Sequence, residues 1–91
     1  MTVHLDARLQ QEDRLQSFIV RDLSDHGFMG DCEEPVEVGS EVRLVLPKIG
    51  SVTAVVVWKV GERIGCRLRA GLRFSQLLPW FQGTTGGAGA V

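Results

Sequence analysis

Ser51-Val52-Thr53-Ala54-Val55-Val56-Val57-Trp58-Lys59-Val60 is the stretch on which the reading of the fold turns. Val52, Ala54, Val56 and Trp58 fall on one side of a two-residue repeat, Val55 and Val57 on the other. That period belongs to an extended strand and not to a helix. C-terminal to it, Gly61-Glu62-Arg63 turns the chain and Ile64–Leu68 supplies a partner strand. On the other side, Pro47-Lys48-Ile49-Gly50 is a turn. It is preceded by Glu41–Leu46, in which Val42, Leu44 and Leu46 share a face.

The same grammar continues toward the N-terminus. Asp31–Ser40 reads as a loop punctuated by Pro35 and Gly39,. Phe28-Met29 is a short strand, Ser24-Asp25-His26-Gly27 has turn chemistry, and Leu15–Leu23 is a strand centred on Phe18-Ile19-Val20,. Gln10–Arg14 is a polar break, and Val3, Leu5, Ala7 and Leu9 alternate with polar residues in a first strand. Short strands at regular spacing, joined by turns, predict an all-β barrel or sandwich, and a barrel would also remove exposed sheet edges. After Arg73 the pattern changes. Ser75 is a reasonable helix N-cap, and Leu77, Leu78, Trp80 and Phe81 crowd the following turns, so a short helix over 75–82 is expected to dock on the barrel,. Gly83–Val91 is expected to be a flexible Gly-rich tail, leaving residues 1–82 as one domain,.

Composition narrows the function. Ninety-one residues make one domain with one modest core,. Ten Lys and Arg against 11 Asp and Glu give a net charge of −1, without the basic excess of a DNA- or RNA-binding domain,. The positive charge is nearly all arginine, which offers planar bidentate bonds to phosphate,. No apolar run approaches the roughly 18–20 residues of a membrane span, and the N-terminus lacks a signal layout, so a cytoplasmic protein without membrane insertion is expected. Cys32 and Cys66 are far apart, and with His4 and His26 they form no metal-ligand spacing, so no metal site is expected and the thiols read as reduced and structural,. No paired carboxylates, phosphate loop or nucleophile motif is present, and His26 reads as a turn residue,. The chain is therefore read as a binding module with no catalytic residues and no cofactor. Trp58 reads as core or rim packing, and Asp31, Glu33, Glu34, Glu37 and Glu41 as a solvated acidic loop.

One stretch carries a signature: Asp22-Leu23-Ser24-Asp25-His26-Gly27 at a strand end. Asp and Ser there can shape a turn by accepting from backbone N–H groups, and Gly27 would permit a positive φ. In context this stretch resembles the D/N-x-S-x-x-G motif of the PilZ domain family. The resemblance extends through Phe18–Arg21, Phe28-Met29, Gly39–Pro47, Ala54–Trp58 and Gly65–Leu68, in order and at ordinary spacing. It implies a six-stranded antiparallel barrel with a short C-terminal helix, acting in bacterial signalling. In many members it also implies binding of cyclic di-GMP, with Asp22, Ser24 and Gly27 as the ligand-binding residues. The family's second motif, R-x-x-x-R ahead of the first strand, has no place here, because only Met1 and Thr2 precede that strand in this sequence. Arg63/Arg67 and Arg69/Arg73 match the pattern but come after the motif, and are read as accidents, although residues four apart on a strand share a face,. Two expectations result. One is a regulatory module that binds a cyclic dinucleotide and signals to a protein partner. The alternative is a degenerate PilZ-type adaptor that ignores the nucleotide and acts by protein–protein contact, through a sheet edge or the Leu77-Leu78-Trp80-Phe81 segment.

Overall fold

The computed structural model describes residues 1–78. Six strands, β1 (Thr2–Gln11), β2 (Arg14–Ser24), β3 (Gly27–Cys32), β4 (Glu41–Leu46), β5 (Gly50–Val60) and β6 (Arg63–Leu68), precede one turn of helix, α1 (Phe74–Leu77). The strands close into an antiparallel barrel in the order β1-β2-β3-β6-β5-β4, with β4 returning to β1. The all-β barrel expected from the alternation is thus the observed fold. Its strands run longer than the apolar residues alone mark. β3 continues to Cys32, so Asp31 is a strand residue and not the start of the acidic loop. The expected helix end at 82 and the Gly-rich tail lie outside the described residues, as do Trp80 and Phe81. Among the described residues no helix is long and apolar enough to cross a membrane.

Inward residues fill the barrel: Ala7 and Leu9 from β1, Phe18, Val20 and Leu23 from β2, Phe28 and Cys32 from β3, and Val42, Leu44 and Leu46 from β4. Val52, Ala54 and Val56 from β5 join Ile64, Cys66 and Leu68 from β6. Phe28 meets Phe18 and Phe74 edge-on, with centroids 5.7 and 6.2 Å apart, so the C-terminal segment is stapled to the core by an aromatic chain,. Burial pushes the Cys66 thiol up to about 12 and raises Cys32 as well,. Neither forms a disulfide.

The alternation is broken by β-bulges, where one extra residue shifts the phase of the strand beyond it. In β5 the register jumps between Val56 and Trp58, which leaves Val57 unpaired with β6. Trp58 therefore does not share a side with Val52, Ala54 and Val56. It turns outward, remains 38% exposed, and lies over Gly65, where a Cβ would land inside the indole. In β2 the register jumps between Val20 and Asp22, leaving Arg21 extra. Val20 and Leu23 are both core residues, so the two residues between them, Arg21 and Asp22, share the outer face. The helix differs from expectation too. Its N-cap is Arg73, not Ser75, and Phe74 and Leu78 are buried while Leu77 is 39% exposed.

Candidate functional site

The residues singled out by sequence meet at one corner of the barrel. Strands β2 and β3 are joined across Asp25-His26, with Ser24 facing Gly27 in the ladder. The Ser24 hydroxyl donates to the Gly27 carbonyl at 3.4 Å, closing the turn. Gly27 is not held here by a positive φ, contrary to the expectation. It is required by close approach: a Cβ at this position would sit 2.5 Å from the Cys66 carbonyl oxygen on β6.

Asp25 works toward the other end of the chain. Its carboxylate Oδ1 accepts from the Ser75 N–H at 3.0 Å, and its carbonyl accepts from the Phe74 N–H at 3.0 Å. These bonds satisfy amides at the start of α1 that have no partner within the helix, so a residue fifty positions upstream does the work of a cap,. The Ser75 bond holds the Asp25 carboxyl below its ordinary range,. The His26 carbonyl accepts from the Leu68 N–H at 2.8 Å.

Asp22 faces out because of the bulge. The Met1 ammonium lies 3.0 Å from its Oδ1 while donating its hydrogen bond to the Leu23 carbonyl at 2.8 Å. The Asp22 contact is thus an ion pair and not a directed hydrogen bond. Oδ1 is also the buried side-chain oxygen that lacks a hydrogen-bond partner among the described residues. The side chain as a whole is 49% exposed, so its exposure falls on the remaining atoms, Oδ2 among them.

Sequence reasoning missed what stands beside Asp22. The ladder sets Asp22 against Met29, Met29 against Gly65, and Gly65 against Trp58. The adjacent row is Ser24, Gly27, Arg67 and Val55. One outer face therefore carries a carboxylate, a hydroxyl, a guanidinium and an indole lying flat on a glycine. On its far side Asp31 is bound by Arg63 at 2.8 Å and Arg21 at 2.9 Å, and Arg21 lies 3.4 Å from the His4 Nδ1. The Arg63 and Arg21 bonds lower the Asp31 carboxyl to about 2, so it stays ionised across the physiological range,. The alternation of β6 put Arg63 and Arg67 on one face, as their spacing allowed, and among the described residues Arg63 is the one of the two that is paired with a carboxylate. The signal that could have exposed Asp22 is the gap between core residues Val20 and Leu23, one position too long for strict alternation.

Among the described residues no group of three or more His, Cys, Asp and Glu side chains could hold a metal ion. The arrangement offers hydrogen-bond acceptors, a cation and an aromatic face, which suits binding of a polar, planar, anionic molecule.

Comparison with known proteins agrees with this architecture. The PilZ domain family model matches residues 1–79. No curated protein is similar enough to match the chain. With the family match spanning the barrel, the motif corner and the start of the C-terminal segment, the chain belongs to the PilZ domain family.

Proposed function

We propose that this regulatory module binds cyclic di-GMP on the outer face beside the Asp22–Gly27 corner and transmits the bound state to a protein partner. The observation that carries the reading is the β2 bulge, which turns the Asp22 carboxylate out of the barrel. A carboxylate accepts well from the N–H groups on a guanine edge, as other acceptors do from the exocyclic amine in DNA. The half-exposed indole of Trp58, three strands away in the same row, offers a stacking surface that any purine can use,. Asp22 and Ser24 would orient the base, while Gly27 serves the barrel and keeps the corner free of a side chain.

Calorimetric titration with cyclic di-GMP at moderate salt tests this. Binding that drops about 10-fold or more in Asp22→Ala supports the reading, a loss consistent with one charge-assisted hydrogen bond. No heat and no shift in melting temperature at tens of micromolar ligand would remove the nucleotide role.

A second reading rests on a different observation. Val57, Trp58 and Val60, the last 71% exposed, line the outer side of β5, with Val38 also exposed in the loop between β3 and β4. An adaptor could dock a partner there. The barrel is closed, so the one stretch of sheet edge it offers is the start of β1, which β4 meets only from Arg8 onward. In that case Val60→Glu would impair partner binding and Asp22→Ala would not.

A further inference from the structure

We propose that Arg67 is the residue that meets a phosphate of the ligand held at the Asp22–Gly27 corner. This inference rests on the nucleotide reading and assigns it a cation.

The placement comes from the ladder. Arg67 on β6 faces Gly27 on β3, which faces Ser24 on β2, so all of them lie on the outer wall. Gly27 has no side chain, so no side chain of β3 stands between Arg67 and Ser24. The two Cα atoms are two strand spacings apart, about 10 Å. An extended arginine covers more than half of that.

Availability separates Arg67 from its neighbours. On β2 and β6, Arg14 is paired with Glu34 at 2.6 Å, and Arg21 and Arg63 share Asp31. Each would have to leave a carboxylate before engaging a phosphate. Arg67 is exposed and has no ion pair among the described residues. Its other ladder partner, Val55, is apolar, and Glu41 beyond Val55 is already paired with Arg69 at 3.4 Å. Among the described residues, Arg67 is thus the arginine on the outer wall of β2, β3 and β6 that has no carboxylate partner. Guanidinium binds phosphate oxygens through two parallel N–H bonds.

Charge also sets the direction of the ligand. Arg67 attracts a phosphate, whereas Asp22, its charge offset by the Met1 ammonium at 3.0 Å, offers oxygen acceptors to a base, so a phosphorylated purine is oriented with its base toward Asp22 and its phosphodiester toward β6,.

The test compares wild type, Arg67→Ala, Arg67→Lys and Arg63→Ala by calorimetry with cyclic di-GMP at two salt concentrations. Arg67→Ala is expected to weaken binding by about 10- to 100-fold, a charge-assisted contact, and to flatten the salt dependence of Kd. Arg67→Lys should recover part of the loss, and Arg63→Ala should change Kd by less than about 3-fold. Melting temperatures should stay near wild type in the Arg67 variants, whose side chain is exposed, and shift little in Arg63→Ala, which removes a surface ion pair to Asp31,. Binding in wild type that is equally tight in Arg67→Ala overturns the assignment while leaving the nucleotide reading intact. A larger loss in Arg63→Ala than in Arg67→Ala also overturns it. Absence of binding in wild type defeats the nucleotide reading itself, and the Arg67 assignment with it.

Discussion

Gly27 shows how a motif glycine can answer to the barrel before it answers to a ligand. Its missing side chain makes room for the Cys66 carbonyl across the β3–β6 ladder, 2.5 Å from where a Cβ would be. Backbone atoms cannot swing aside as a flexible side chain can, so Gly27→Ala must open the strand pair. Overpacking of this kind costs about 1–3 kcal/mol. A thermal melt of Gly27→Ala without ligand is therefore expected to show a clear drop, several degrees per kcal/mol for a domain of this size. An unchanged melt together with lost ligand binding would mean that the glycine serves the ligand alone. The sequence made Gly27 conspicuous, but for the wrong physical reason. Turn chemistry suggested a left-handed backbone, whereas the constraint comes from a strand thirty-nine positions away, which no local pattern encodes. Asp22 and Ser24 were legible as a pair at a strand end. Arg67 was legible as half of an Arg63/Arg67 match read as an accident, and its place in line with Gly27 and Ser24 depends on which strand lies beside β6, which no local pattern encodes.

The strands themselves could be read from alternation, since each needs only its own residues to declare two faces. Their interruptions could not. A bulge changes the pairing of two strands at once, and its trace in either sequence is a single displaced residue, as with Arg21 or Val57. The C-terminal element was the least legible. Ser75 carries cap chemistry, but the helix begins one residue earlier, and the side chain that serves its amides is Asp25. Asp25→Ala removes the carboxylate bond to Ser75 and leaves the main-chain bond to Phe74. By analogy with a lost helix cap, it is expected to cost about 0.5–2 kcal/mol. The loss should be concentrated in α1, so hydrogen exchange at the Ser75 and Gln76 amides should speed up while the β5 and β6 amides stay protected. Uniform acceleration across the barrel would instead make Asp25 a determinant of global stability.

Closure is the property that belongs to the whole molecule. Every strand has two neighbours, so most backbone donors and acceptors are taken up within the sheet, although β4 meets β1 only over Arg8–Gln10 and leaves the first residues of β1 without a partner on that side,. Closure also seals the interior. Cys66 faces inward on β6, with its thiol pushed up to about 12 by burial. At pH 8 the reactive thiolate is then on the order of one in ten thousand. Alkylation of Cys66 by iodoacetamide is expected to proceed only through opening of the barrel, and to accelerate steeply with urea. Reaction at the rate of a small free thiol in native buffer would show that β6 detaches on its own.

The β2 bulge has one more implication, which concerns genetic tolerance. Arg21 is the extra residue between two core positions, Val20 and Leu23. Deleting it would restore strict alternation, with Val20 and Leu23 still inward and Asp22 still outward, so the barrel should survive loss of that single codon. What such a deletion takes away is the Arg21 bond to Asp31 and the local kink that shapes the wall around Asp22,. The fold can spare the extra residue; the shape of the corner cannot.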